Sequence, residues 1–291
     1  GKLVDSIYLL HDQFRVAVRA CDRIFQISKE LGTGHGLRLY GPPGTGKSSV
    51  YKYFSKSLPN STLFSPGWGC LGVRAYPKTS AGHLVGGLLK AYKYPFTRLT
   101  EQVVYEKRSL VFELVRQKGT RLIFVDQAQH LLKGERKGCV LPGGNDFLCE
   151  LMDETNVGIV LAGDEELGID DRLDEALKSR ITGRLELQSF KADQQWAGVI
   201  KSFVKNCTWV DIKLLEMPGQ PKALHGATNG NMRALKRLIT EAVMVCVQQK
   251  REKVSQEHMR EAFDLIFGAT STRINPYVGT PSIAAAPASV S

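Results

Sequence analysis

At 291 residues, with 43% hydrophobic and 23% charged, the chain can bury a real core and is long enough for two domains, or for one domain and an appendage. No stretch approaches about 18 uninterrupted apolar residues and no signal-peptide pattern opens the sequence, which argues against a membrane partner and for a soluble, cytoplasmic protein. A net charge of +10 and a pI near 9.3 point to a polyanionic partner, most sharply in residues 71–120, where nine Lys/Arg face three Glu.

In chain order, residues 2–31 carry a helical apolar stripe (Leu3, Ile7, Leu10, Phe14, Val18, Cys21, Ile24, Phe25) that Gly32, Gly34 and Gly36 break. The start at Gly1 rather than Met suggests a tagged or trimmed N-terminus. LRLY (37–40) reads as a strand running into GPPGTGKSSV, with a helix over 48–57. A strand is expected at 71–76, helices at 80–92 and 100–117, and a strand at 121–126. A Gly-rich loop (134–144), a helix at 145–153 and a buried strand at 157–163 follow. Strands alternating with helices indicate βαβ units and a parallel sheet.

After LELQSF (185–190) only helices are expected, near 192–205, 218–227, 231–249 and 255–267, and the Ala/Ser/Pro-rich end lacks periodicity. The division that results is a helical segment (1–35), an α/β nucleotide-binding domain (36–190), an all-helical domain (191–268) and a flexible tail (269–291). The six cysteines (Cys21, Cys70, Cys139, Cys149, Cys207, Cys246) lack metal-ligand spacing and read as reduced core thiols.

The segment 41–48 fits GxxxxGK[ST] in full, between an expected strand and helix. Gly41, Pro42, Pro43, Gly44, Thr45, Gly46, Lys47, Ser48 and Ser49 would wrap phosphates with backbone N–H groups at a helix N-terminus. Lys47 would reach the β- and γ-phosphates, and the Ser48 hydroxyl would ligate Mg²⁺. Asp126, ending the apolar strand LIFVD, is the matching Mg²⁺ carboxylate; taken alone, it would more simply be a strand terminus. ATP and Mg²⁺ are therefore the expected cofactors.

These motifs, the polar position after VGIVLAG, the segment KSRITGR (178–184) and the lid segment GNMRALKRL (230–238) resemble the AAA+ ATPases. Within them the sequence is most similar to transposition regulators of the TnsC/TniB type, relatives of MuB and IstB. DQAQHLL resembles DE-x-x-H-L, FLCELMDETNVGIVLAGDEEL resembles L-x-x-x-x-N-x-x-I-x-x-V-L-x-G, and HGATNGNMRALKRLITEA resembles G-N-x-R-x-L, over about residues 5–267. The fold implied is an α/β P-loop AAA+ parallel sheet flanked by helices, followed by a small all-helical lid domain.

The resemblance implies that Arg180, with Arg184 as second choice, is the finger reaching a neighbouring subunit's γ-phosphate, although a surface arginine ending a helix is the plainer alternative. It implies that Arg233 senses nucleotide from the lid, and it puts Asp164 where the family often has Thr or Asn. Lys78, Thr79, Thr97 and Arg98 are candidates for sequence-independent contacts to double-stranded DNA, whereas Tyr76, Tyr92 and Tyr94 read as packing residues more than as base-stacking ones. Partners implied are duplex DNA, further copies of the chain in a ring or helical filament, transposase subunits and a target-selector protein. The acidic stretch 164–176 is a candidate face towards a neighbouring subunit.

Gln127 departs from the family, whose hydrolysing members place Glu after the Mg²⁺-holding Asp. An amide can hydrogen-bond the attacking water but cannot take its proton, and losing a general base costs about 10²–10⁴ in rate. A naturally slow ATPase and an introduced Glu→Gln substitution both fit. Competing readings are a helicase loader or origin-recognition protein, a non-hydrolysing ATP-dependent scaffold, and a signalling NTPase switch.

Overall fold

A computed structural model describes residues 10–32, 34–58, 68–95, 101–132, 143–268 and 274–278, the side chains of 101–105 excepted. The chain divides into two compact units, one spanning Asp12–Gln188 and the other comprising Gly1–His11 with Ser189–Ser291. Thr97, Arg98, Cys139 and most of the Gly-rich loop expected at 134–144 lie outside the described residues.

In the first unit, helix α1 (Asp12–Glu30) buries Phe14, Ala17, Cys21 and Ile24; of the predicted stripe, Phe14, Cys21 and Ile24 are buried, Val18 and Phe25 are half-buried, and Leu10, ahead of the helix, is exposed. Strand β1 (Gly36–Tyr40) leads through the phosphate loop into α2 (Lys47–Ser57). Strand β2 (Cys70–Arg74) is followed by α3 (Ala81–Ala91) and α4 (Glu101–Lys118). Strand β3 (Leu122–Asp126), helix α5 (Gly144–Thr155) and strand β4 (Gly158–Ala162) come next, then α6 (Glu175–Arg180) and β5 (Gly183–Glu186).

The five strands are parallel, in the order β2-β3-β4-β1-β5. Helical crossovers cover a parallel sheet on both faces, so its inner strands read as unbroken apolar runs. All of β4 and the first four residues of β3 are accordingly buried. Strand β5 begins two residues earlier than its apolar pattern predicts, because Gly183 pairs with Leu37; its alternating exposure is that of an edge strand.

Helix α3 starts in a reciprocal cap that sequence periodicity cannot register. The Ser80 N–H donates to His83 Nδ1 at 3.1 Å, and the His83 N–H donates to Ser80 Oγ at 3.4 Å. Of the three tyrosines considered for base stacking, Tyr92 is buried with its hydroxyl 2.6 Å from Thr120 Oγ1, and Tyr94 packs against the core. Tyr76 alone of the three is exposed, at 53%.

In the second unit, α7 (Gln194–Asn206), α8 (Gln220–Thr228), α9 (Met232–Gln248) and α10 (Gln256–Phe267) enclose a core that includes Trp196, Phe203, Leu224, Leu235 and Phe263. Side chains cap these helices, a feature the sequence analysis did not register: Asp193 accepts from Trp196 N–H, Asn231 from Arg233 and Ala234 N–H, and Ser255 from His258 N–H. Within the tail expected to lack structure, Asn275 Nδ2 donates to Asp264 Oδ1 at 2.9 Å and Tyr277 is 5% exposed. Burial of the Tyr277 ring holds this short segment against α10, an interaction a periodicity argument cannot detect in five residues. Among the described residues no helix is long and apolar enough to cross a membrane.

Candidate nucleotide site

The phosphate loop leaves the carboxyl end of β1, which lies inside the sheet between β4 and β5. Gly41, Gly44 and Gly46 have φ values of +136°, +89° and +107°. A side chain at Gly41 would run into the Leu187 carbonyl oxygen, whereas one at Gly46 would meet nothing within 4 Å, leaving the concave side of the loop open. Lys47 Nζ donates to the carbonyl oxygens of Gly41 at 2.6 Å and Pro42 at 2.8 Å, which keeps its charge at the loop.

Asp126 closes the other side. Its Oδ2 accepts from Ser48 Oγ at 3.0 Å and its Oδ1 accepts from the Gln127 N–H at 3.0 Å. A hydroxyl and a carboxylate brought together beside a lysine fit a hard, oxygen-liking cation held jointly with phosphates. Among the described residues no group of three or more His, Cys, Asp or Glu could hold a metal. The five described cysteines are free and buried, and burial, with Asp22 adding, pushes the Cys21 thiol up to about 12.

Gln127 stands in the left-handed region, φ +61° and ψ +37°, unusual for a residue with a long side chain. Its Oε1 accepts from Gln129 Nε2 at 3.1 Å. Sequence reasoning passed over Gln129; the clue was the two-residue spacing in DQAQ, which only this turn converts into a contact.

The two finger candidates are both engaged. Arg180 makes a two-point pair with Asp153 (Nε to Oδ1 2.8 Å, Nη2 to Oδ2 2.7 Å) and donates from Nη1 to the Ala176 carbonyl. Arg184 pairs with Asp170 Oδ2, while Arg38, 1% exposed, donates to Asp170 Oδ1 at 2.8 Å. Because Arg38 and Arg184 sit opposite one another on β1 and β5, both reach the same carboxylate. Hydrogen bonds from Arg184 and then Arg38 hold the Asp170 carboxyl below its ordinary range.

Within the acidic stretch 164–176, the Asp170 carboxylate is already paired inside the chain with Arg38 of β1 and Arg184 of β5. Asp164 is likewise spent locally, accepting from the Glu166 N–H. Arg233 lies in the first turn of α9, in the second unit, with an exposed side chain.

Of the described DNA candidates, Lys78 is exposed at φ +59°. Thr79 is corrected: it is 2% exposed, and its hydroxyl lies 2.6 Å from both the N–H and the carbonyl of Tyr76, so it shapes the turn rather than facing solvent. Arg74 lies 5.8 Å from the Tyr76 ring centroid, and the His83 ring lies 6.5 Å from it, giving an exposed basic and aromatic cluster that sequence reading did not assemble.

A model of the family described as bacterial TniB protein matches residues 6–191. The proteasome-activating nucleotidases of Pyrococcus furiosus and Pyrococcus horikoshii are each 24% identical over 80% of the chain, which spans about half (52%) of their length. Among solved structures, the Aeropyrum pernix ORC1 protein in complex with DNA superposes with a TM-score of 0.68 at 20% identity, covering 91% of this chain and 69% of that one. The ORC2 protein of the same organism gives 0.66 at 14% identity, covering 91% and 71%. The Thermotoga maritima RuvB branch-migration motor gives 0.52 at 14% identity, covering 87% and 69%. These likenesses place the fold among the AAA+ P-loop NTPases.

Proposed function

We propose, for a chain that belongs to the bacterial TniB family, an ATP-binding AAA+ ATPase that assembles on duplex DNA and regulates transposition. The observation that carries the nucleotide half is the 3.0 Å contact between Ser48 Oγ and Asp126 Oδ2 beside Lys47. The Mg²⁺ that Ser48 and Asp126 would hold supplies charge neutralisation on the phosphate oxygens. Lys47 binds the same phosphates, and the glycines admit them to backbone N–H groups.

Residue 127 is the group beside Asp126 that orients the attacking water. As Gln it holds the water without accepting a proton, so turnover is slow. A finger arginine, Arg180 or Arg184, reaches a neighbour's γ-phosphate in the assembled state and makes hydrolysis depend on assembly. Each must first exchange its internal carboxylate, Asp153 or Asp170, for that phosphate.

DNA association rests on the net charge of +10, on the exposed Lys78 and Arg74, and on the likeness in fold to a protein solved with DNA. Contacts of this kind go to the phosphate backbone, ignore sequence and weaken with salt. Head-to-tail contacts between copies close into a ring or continue as a helical filament. Recruitment of a transposase and a target-selector protein is the part of this reading supported by family membership alone. A helicase-loader or origin-recognition role is the second reading, favoured by the ORC likeness; capture of a replicative helicase in place of a transposase would select it.

Steady-state ATP hydrolysis with and without duplex DNA tests the first reading, on this chain and on Gln127→Glu, with Lys47→Ala as the blank. DNA-stimulated turnover in Gln127→Glu supports it. Both proteins at the level of the blank, while still binding ATP and DNA, would leave a scaffold in which nucleotide only sets shape.

A further inference from the structure

The left-handed turn after β3 brings two amides together that are two residues apart in sequence. Gln129 Nε2 donates to Gln127 Oε1 at 3.1 Å, and Gln129 itself is held by the 3-10 helix Ala128–Leu131. The other end of the Gln129 amide is boxed in. Its Oε1 is buried with no hydrogen-bond partner, and a side chain at Gly163, the residue after β4, would come within 3.0 Å of that oxygen and 3.1 Å of the Gln129 nitrogen of the backbone.

A buried amide normally pairs both of its polar ends. Here the acceptor end goes unpaired, so that the donor end meets residue 127. An N–H donor suits an acceptor at 127 whether that acceptor is an amide carbonyl or a carboxylate, and the bond is stronger to the carboxylate.

We propose that Gln129 is a positioning residue: it aims the side chain at 127, the water-orienting position, through its Nε2 donor, while its other end is confined beside Gly163 at the end of β4. The proposal rests on the ATPase reading for its meaning in catalysis, but not for its geometry. Removing the donor loosens the aim of the side chain at 127 and leaves the phosphate loop alone.

The test uses the full chain carrying Gln127→Glu, with and without Gln129→Met, which keeps length and bulk but lacks the donor. In the unaltered, nucleotide-free chain, ¹H–¹⁵N NMR follows the side-chain amide of Gln129, and Gln127→Met is the control that lacks the acceptor.

In Gln127→Met the Gln129 side-chain amide protons are expected to lose the separation and the protection from exchange that a bonded N–H gives them. In Gln127→Glu, adding Gln129→Met should lower kcat about tenfold with an unchanged KM for ATP. Gly163→Ala, which displaces the same amide without altering its chemistry, should lower kcat in the same way. Gln129 amide protons that Gln127→Met leaves unchanged overturn the proposal, whatever the turnover, and so does an unchanged kcat on adding Gln129→Met. A changed amide signal without any turnover in Gln127→Glu keeps the contact and removes the ATPase reading instead.

Discussion

The phosphate loop and the turn after β3 face one another across the site and use the left-handed region of backbone space in opposite ways. In the loop, φ values of +136°, +89° and +107° fall on Gly41, Gly44 and Gly46, so the chain bends and no side chain intrudes. After β3 the same kind of turn falls on Gln127, at φ +61°, where a left-handed conformation costs a non-glycine residue about 1–2 kcal/mol. The chain uses glycine where a ligand must reach backbone. It tolerates strain where a side chain must be aimed, and strained residues of this kind gather at functional sites.

The sharpest way to exploit that contrast is to change the chemistry at 127 and leave the backbone as it is. Gln127→Glu should raise DNA-stimulated ATP turnover by about 10²–10⁴, the usual worth of a general base, with little change in ATP affinity. A rise well under tenfold would reduce the position to a structural one.

Next in size are the loop glycines, which the structure separates by surroundings. Gly41→Ala meets both the left-handed penalty and the Leu187 carbonyl, and should cost about 3 kcal/mol or more in urea unfolding. Gly46→Ala has open space and should lose only about 1–2 kcal/mol, while sharply weakening ATP binding by filling the cradle. Equal losses at the two sites would mean that the Leu187 contact does not constrain the loop.

Gln127→Gly reverses the comparison, since it relieves the strain and removes the aimed side chain. Its midpoint in urea should rise, by up to about 1 kcal/mol, while hydrolysis stays at the blank. A fall in stability would place the Gln129 contact above the backbone cost.

The smallest expected effect is linked to pH. The carboxyls of Asp170, held by Arg184 and Arg38, and of Asp153, held by Arg180, both sit below the ordinary value of 3.8. A depressed folded-state pKa gives stability that is full above the ordinary value and is lost as pH falls through it towards the lowered one. Melting temperatures of the unaltered chain should therefore fall more steeply below about pH 4 than those of the Asp170→Asn variant, whose curve lacks that contribution. Parallel curves would show that Arg38 and Arg184 find equivalent partners elsewhere.

Much of this protein was legible in the sequence because the physics is local. The GxxxxGK[ST] spacing encodes a loop that needs glycines and a following helix, and the apolar runs ahead of Asp126 and Gly163 encode buried parallel strands. Gln127, read as the exceptional position, is also one of the non-glycine residues in the left-handed region.

Tertiary structure alone decided which side chains meet. Strand order sets Arg38 beside Arg184 and delivers both to Asp170, 132 residues beyond the first, so a stretch that reads as a free acidic face is partly internal. A tight turn gives the Thr79 hydroxyl to Tyr76, and packing of α5 with α6 commits Arg180 to Asp153. The bond from Gln129 to Gln127 has the same origin, since its two-residue spacing becomes a contact only when the backbone at 127 turns left-handed. Motif chemistry is written along the chain, whereas charge pairing depends on distances through space, and those are set only when the sheet order brings remote residues together.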